Sequence, residues 1–240
     1  MIKDIRTQYK AEEILASIPF DRGELFIGYR PVVASGTWNE QFHQVFDRQP
    51  GRRLSRSVFE ITGNTKGGIV VEVAECASVR DAVEDLMDVL DENELAALDP
   101  GPEFLQPAAF RHPQQAPDAV FFARANLRIS IIAQSRNDKG VDEWLERIQR
   151  DLNLEPEEAR DSLEILSSAS RENTVLLNYR LPWKVGSEGW FKFVSEGTSI
   201  ERGTKPDELV IGKTGSGITV RGWVLEPGRE SYKGKFENMK

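Results

Sequence analysis

The sequence predicts an α+β fold, and two features of the 240-residue chain support this class. A strand–strand–helix pattern occurs twice, over residues 57–90 and 119–152. In the last part of the chain, short β-forming runs are separated by Gly and Pro about every ten residues, a spacing typical of all-β units. We therefore expect an α+β domain (1–155), a helical connector (156–171) and a small β-sandwich-like domain (172–240).

The first fifty residues predict a short helix over Ala11–Ile18, followed by a strand in the alternating stretch ELFIGYRPVV. A second helical pattern follows, because four apolar residues fall at helical spacing: Trp38, Phe42, Val45 and Phe46. We place the whole segment in the first domain, where it would extend the sheet.

The two repeat copies share an order of features. Each opens with Val-Phe, reaches an Asn six residues after that Val and continues with a β-branched run. Each then ends in apolar positions spaced i, i+4, i+7 and i+11, which line one face of a helix: Val79, Val83, Leu86 and Leu90, then Val141, Leu145, Ile148 and Leu152. A lone hairpin with one helix buries too little apolar surface. We expect the copies to pair into a mostly antiparallel sheet with both helices on one face.

A proline-rich segment, residues 99–118, separates the copies and contains five prolines. This density excludes a helix or a central strand. Phe104, Leu105 and Phe110 are expected to hold the segment against the fold as an ordered crossing.

The stretch Gly212-Lys213-Thr214 raises the question of a phosphate-binding loop. Such a loop has a glycine five residues before the Gly-Lys pair and a helix after it. Asp207 occupies the glycine position, and a strand pattern follows instead of a helix N-terminus that could hold an anion. We interpret residues 212–217 as the turn of a hairpin.

Nucleophiles and metal ligands are scarce. Cys76 is the only cysteine, which excludes an internal disulfide and a cysteine-based zinc cluster, and we interpret it as a small structural residue. The only histidines are His43, in the aromatic helical pattern, and His112, in the proline-rich segment. No Gly-x-Ser-x-Gly elbow is present. We predict no catalytic residue, no metal ligand and no cofactor.

Charge argues against a nucleic-acid partner. The net charge is −8, and an acidic chain without a basic stripe repels a phosphate backbone. We interpret Arg52, Arg53 and Arg56 as solvated charge. The acidic residues of the first repeat helix are interpreted as a solvated face, with docking to a basic partner as the alternative: Asp81, Asp85 and Asp88.

No run of residues approaches the ~20 apolar positions that a membrane span requires. The N-terminus as written lacks the apolar core of a signal peptide. The expected compartment is therefore the cytoplasm. The alternative is an exported bacterial envelope protein whose signal peptide was removed.

The tryptophans of the last domain are the partner-binding candidates. In GWFKFV, strand alternation places Trp190 and Phe191 on opposite sheet faces, so one side chain faces outward unless something covers it. Exposed tryptophans mark contact surfaces. Trp190 and Trp223 are the two candidates, for contact with a partner or with the first domain.

The sequence favours a non-enzymatic binding or assembly protein that presents surfaces to a protein or other macromolecule. The alternative is a hydrolase or other enzyme with a site at the domain junction. Arg111, His112 and Arg124 are the first residues that such a site would use.

Overall fold

The structure is a computed structural model. It describes residues 4–17, 22–31, 37–49, 52–63, 67–92, 99–102, 105, 108–112, 118–135, 140–153, 164–171, 174–180, 190–196, 198–205, 208–213, 219–225 and 233–234.

Helices in this part of the chain are α1 (Ile5–Gln8), α2 (Ala11–Ser17), α3 (Val79–Glu92) and α4 (Gly140–Asn153). The strands of its first half are β1 (Arg22–Ile27), β2 (Trp38–Gln49), β3 (Arg52–Ile61), β4 (Gly68–Glu75), β5 (Asp99–Pro100) and β6 (Ala109–Arg111). The strands of its second half are β7 (Ala119–Arg124), β8 (Leu127–Ala133), β9 (Glu164–Arg171), β10 (Thr174–Arg180), β11 (Trp190–Glu196), β12 (Thr198–Arg202), β13 (Glu208–Lys213), β14 (Thr219–Leu225) and β15 (Lys233–Gly234). The predicted α+β class is confirmed, with antiparallel sheets as the larger part.

The largest sheet has seven antiparallel strands in the order β2-β3-β4-β8-β7-β6-β5. Both hairpins predicted within the repeat copies are present, as β3–β4 and β7–β8. The second hairpin turns through Ala125-Asn126, where Ala125 has a positive φ of 50°. The proline-rich segment contributes the short strands β5 and β6, and buried Leu105 and Phe110 hold it against the fold. β6 lies between β7 and β5, so the exclusion of a central strand is wrong for residues 109–111, which contain no proline. Phe104 lies outside the described residues.

The two repeat helices lie on opposite faces of this sheet, so the prediction of one shared face is wrong. The buried residues of α4 share a core with Val71 and Ile129, whereas those of α3 pack with Phe121 and Ile132. Successive strand residues point to opposite faces. The β-branched run Ile69–Val71 therefore places apolar side chains on both faces, and both faces have to be covered.

Two four-stranded sheets form the rest of the described chain, in the orders β1-β11-β14-β15 and β12-β13-β10-β9. Their facing residues share one apolar core, which includes Leu25, Phe191 and Phe193 from the first sheet and Tyr179 and Ile211 from the second. The expectation that the first fifty residues extend the large sheet holds for β2. It does not hold for β1, which pairs with β11.

The predicted hairpin around residues 212–217 is wrong. Strands lie on both sides of it, but β13 pairs with β10 and β12, whereas β14 pairs with β11 and β15. The chain therefore crosses from one sheet to the other between them. Two short strands with a Gly-rich link are compatible with either arrangement, and the choice of partner strand depends on residues far along the chain.

The helical connector is also corrected, because residues 164–171 form β9 and pair with β10. Residues 154–163 lie outside the described part of the chain. The small polar run Ser167-Ser168-Ala169-Ser170 contains three serines, which have modest helix propensity. Pairing with β10 satisfies its backbone groups on one side.

None of the helices in the described part of the chain has the length and apolar character that crossing a membrane requires.

Candidate functional site: the open edge of β2

Strand β2 is twelve residues long and ends the seven-stranded sheet. No described strand pairs with its outer side. An edge strand of this kind presents a row of N–H and C=O groups with which another strand can pair. This corrects the predicted helix over Trp38–Phe46. The helix prediction overlooked the dipeptide Pro50-Gly51, whose residue types favour turns. In the sequence this dipeptide lies between the end of β2 at Gln49 and the start of β3 at Arg52.

Two register shifts interrupt the pairing of β2 with β3, and the first separates Trp38 from the later apolar residues of β2. The β2–β3 register shifts between Glu40 and Phe42 and again between Asp47 and Gln49. Each such irregularity adds a residue and moves the following side chains to the other face. Trp38 therefore joins the core under α4, while Phe42 lies on the α3 face.

Two of the three exposed large hydrophobic residues among the described positions lie on β2. Phe42 is 45% exposed and Val45 is 39% exposed. The third, Val175, is 42% exposed and lies on β10, an inner strand with neighbours on both sides. Exposed apolar residues on an unpaired edge are characteristic of strand-pairing surfaces.

Phe42 ends a row of apolar side chains that crosses the sheet on the α3 face. Its partner across the ladder is Val58, which pairs with Val70, which pairs with Ile132. These four residues are named the Phe42 row. Its three inner members are half-buried, so the row reaches the open edge as a continuous apolar strip.

A second row on the same face is largely polar. It runs from Gln44 through Arg56 and Glu72 to Ser130. Arg56 forms an ion pair with Glu72, and Arg30 forms one with Glu40 near the other end of the strand. These two arginines are therefore paired with carboxylates of the same chain.

His43 lies on the opposite face of β2 from Phe42. Its Nδ1 is 2.8 Å from Ser57 Oγ. Partial burial, with a contribution from the nearby charge of Arg30, lowers the pKa of His43 below its usual value. A neutral imidazole that is hydrogen-bonded to a buried serine has a structural role in positioning β2 against β3.

The other sheet edges are formed by shorter strands than β2, and β1 and β12 contain six and five residues. β5 and β15 contain two residues each, and β5 includes Pro100. β9 has eight residues, but the exposed side chains along it are small: Ser167, Ser168, Ala169 and Ser170. Natural proteins prevent an edge strand from pairing with another chain by making it short or by placing Pro or charged side chains on it. β2 is neither short nor interrupted by Pro, and its two register shifts leave a regular stretch, residues 42–47, between them.

Trp190 is 5% exposed and is covered by the chain itself. Its ring lies 4.9 Å from that of Tyr29 and 5.8 Å from that of Phe26, in the core that also contains the α4 residues. The structure thus places Trp190 at the contact between the first and last parts of the chain. Trp223 lies in β14 opposite Lys192, and its side chain is outside the described part. A partner-binding role for Trp223 stays a prediction.

The junction around Trp190 is filled by buried polar contacts. Lys192 Nζ donates to Leu152 O at 2.8 Å and pairs with Glu24 at 3.0 Å. Arg202 pairs with buried Glu75 at 2.6 Å, and burial raises the pKa of Glu75. Such contacts join the sheets tightly at the place where the enzyme alternative requires a cleft.

Asn126 ties β1 to the β7–β8 turn. Its side chain, fully buried, accepts from Phe26 N at 2.6 Å and donates to Phe26 O and Cys76 O at 2.8 and 2.9 Å. Cys76 is itself buried, and burial raises the pKa of its thiol to about 12. This fits the predicted structural role of Cys76.

The three residues suggested for an enzyme site are not brought together. Arg111 binds Asp118 and Asp142, with Nη1 2.8 Å from the Asp142 carboxylate. It lies opposite Val120, at the other end of β7 from Arg124 and roughly 13 Å away along the strand. Arg124 binds Glu24 and Asn153. His112, beside Arg111, donates its backbone N–H to Ala119 O.

The predicted solvated face of α3 is corrected at one position. Asp81 and Asp88 are exposed, but Asp85 is 5% exposed and binds two arginines. Arg128 Nε donates to Asp85 Oδ2 at 2.8 Å, and Arg52 pairs with the other carboxylate oxygen. Arg52, interpreted from the sequence as solvated, is thus part of this cluster.

Known proteins provide no assignment. No protein-family model, curated protein or solved structure matches the chain. The described residues include no group of three or more His, Cys, Asp or Glu side chains placed to hold a metal ion. The open edge of β2 is therefore the candidate site.

Proposed function

We propose that the chain is a non-enzymatic binding or assembly protein that pairs β2 with an extended strand of another polypeptide. The observation that carries the proposal is a twelve-residue edge strand whose outward side is unpaired in the described structure and which exposes Phe42 and Val45. Strand addition of this kind draws affinity from main-chain hydrogen bonds and specificity from alternate side chains.

The side chains of β2 define the chemistry of the partner. Phe42 extends an apolar row to the edge on the α3 face, and Val45 is exposed on the opposite face. A partner strand that places apolar residues beside both would bury them on pairing. Arg30 and Arg56 already have carboxylate partners, so these two residues offer no unpaired positive charge to an acidic strand.

The finer architecture belongs to the same proposal. We retain a repeat relationship between residues 57–90 and 119–152. We also retain the sandwich-like unit predicted for residues 172–240, extended by β1 and β9, which pair within its sheets. Their part in binding is to support the large sheet: Trp190 fixes the last part of the chain against the α4 face and leaves the β2 edge open. The partner is a protein strand, not a nucleic acid.

The test is selection of extended peptides from a random library on the immobilised full-length chain. Binding of the selected peptides is then measured with the wild type and with a variant carrying Phe42→Lys and Val45→Lys. We expect the double variant to bind at least about 30-fold more weakly, equivalent to about 2 kcal/mol.

The matched control is Val175→Lys, which replaces a valine of comparable exposure on an inner strand. It should bind the selected peptides as the wild type does. The proposal fails if the double variant keeps wild-type affinity, or if Val175→Lys weakens binding equally.

A further inference from the structure

We infer that the strand which β2 accepts is β2 of a second copy of this chain, paired antiparallel with Gln44 opposite the Gln44 of that copy. This inference rests on the proposed function and names its partner. It is carried by the self-complementary order of side chains between the two register shifts of β2.

Sheet geometry leaves few registers to consider. Consider two antiparallel β2 strands related by a two-fold axis perpendicular to the sheet, so that equivalent side chains lie on the same face of the combined sheet. One residue of β2 must then lie opposite the same residue of the second copy. With Gln44 at that position, Phe42 faces Phe46 and His43 faces Val45. Centring the pair on His43 would place Phe42 opposite Gln44, and centring it on Val45 would place Phe46 opposite Gln44. Of these three registers, only the one centred on Gln44 places an aromatic residue opposite an aromatic residue. Registers centred on Phe42 or Phe46 would pair each ring with its own copy but run into a register shift within two or three residues.

The apolar rows of the two copies become continuous in this register. Phe46 begins a row that continues through Leu54 and Ala74 on the α3 face, named the Phe46 row. Phe46 packs against the cluster that contains Leu54 and Ala74. The Phe42 row of one copy would run into the Phe46 row of the other, and the same contact would occur twice by symmetry. Aromatic cross-strand pairs stabilise antiparallel sheets.

The position of Arg56 beside the β2 edge is compatible with pairing to a second copy, which carries the same charge at the same place. Arg56 is the neighbour of Gln44 across the ladder and is paired with Glu72. In the dimer, the two Arg56 positions would be separated by three strand spacings, about 14 Å, which is beyond the screening length of about 8 Å at physiological salt.

The first measurement is the mass of the full-length chain by sedimentation equilibrium over a wide concentration range. We expect a reversible monomer–dimer equilibrium, and Phe42→Lys should raise the dimer dissociation constant at least about tenfold. Val175→Lys should leave that constant unchanged. Dimerisation that Phe42→Lys leaves intact would overturn the assignment to β2.

The second measurement fixes the register and does not depend on the lysine variants. Gln44→Cys places a thiol on the two-fold axis, where paired Cα atoms lie about 4.5–5.5 Å apart, within the reach of a disulfide. Mild oxidation should give a covalent dimer. Ser168→Cys, exposed on edge strand β9, is the control, and Cys76 is too buried to compete. Crosslinking no faster than that of Ser168→Cys would contradict the register.

The outcomes separate this inference from the proposed function. A chain that stays monomeric and does not crosslink through position 44, yet binds selected peptides through Phe42 and Val45, disproves the second copy as partner and keeps strand addition. Loss of both behaviours disproves both. If both hold, a selected peptide should displace the second copy and return the mass to that of a monomer.

Discussion

Trp190 and Phe191 are neighbours on β11 whose side chains enter two different apolar cores. Trp190 packs with Phe26 and Tyr29 in the core that includes α4, and Phe191 packs with Leu25 in the core between the two smaller sheets. The sheet that contains β11 is therefore covered on both faces. A thin sandwich standing alone could not bury both residues, but here the large sheet and α4 provide the second cover.

Truncation of either residue should destabilise the fold. Trp190→Ala and Phe191→Ala each remove a large buried ring, so we expect each to lower the free energy of unfolding by about 3–5 kcal/mol. Val175→Ala is the exposed control and should cost less than about 0.5 kcal/mol. Denaturant unfolding of the three variants provides the comparison. A near-neutral Trp190→Ala would show that Trp190 is not a core residue.

Because α3 and α4 lie on opposite faces of the large sheet, the stability losses caused by substitutions in the two helices should be additive. Leu86 and Leu145 are both buried, but they belong to cores on different sides of the large sheet. Leu86→Ala and Leu145→Ala should each cost about 2–5 kcal/mol. The double variant should lose the sum to within about 0.5 kcal/mol, because the two sites share no partner. A larger coupling, measured in a double-mutant cycle, would indicate a shared core.

Substitutions at Asp85 and Asp88 test the ion-pair cluster that Asp85 forms with Arg52 and Arg128. Asp85→Ala leaves buried Arg128 and its neighbour Arg52 without their shared carboxylate, so we expect a loss of about 3–5 kcal/mol. Asp88→Ala, at an exposed position on the same helix, should change stability by less than about 0.5 kcal/mol. Similar effects in the two variants, measured by urea unfolding, would mean that Asp85 is as solvated as the sequence predicted.

Asp151 should make stability depend on pH. Burial raises its pKa to about 6, and Tyr29 Oη donates to Asp151 Oδ2 at 3.3 Å. Because the folded pKa lies above the unfolded value of about 3.9, the stabilising contribution is complete below pH about 4 and is lost as pH rises through about 6.

The matched variant is Asp151→Asn, which keeps an oxygen acceptor for Tyr29 and cannot ionise. It should be more stable than the wild type by about 3 kcal/mol above pH about 7, and the difference should disappear near pH about 4. Unfolding free energies of the two proteins across this range are the measurement. A difference that does not vary with pH would exclude a raised pKa at Asp151.

The inner strands of the large sheet were predictable because their signals are local. The β-branched runs at Ile69–Val73 and Ile129–Ile132, each with a helical pattern after it, predict strands and helices whatever their partners are. The placement of the two helices on one sheet face was wrong, although the run Ile69-Val70-Val71 already indicates a strand with apolar side chains on both faces.

The candidate site was missed for a physical reason. Trp38, Phe42 and Phe46 are spaced four residues apart, which fits one face of a helix and also fits a strand with a register shift between Trp38 and Phe42. The crossing between β13 and β14 was missed because strand partners are chosen by tertiary packing. The sequence around Asp85 does not reveal its burial, because its partner Arg128 is 43 residues away in the chain.

Hydrogen exchange of the β2 amides tests the central claim most directly. The rates are measured on the full-length chain when free and in complex, with either the second copy or a selected peptide. Because successive N–H groups of a strand point to opposite edges, alternate amides within residues 42–46 should be unprotected in the free chain and become protected in the complex. The amides of β9 should not change. A complex that forms while the β2 amides exchange as fast as in the free chain would contradict strand addition at this edge.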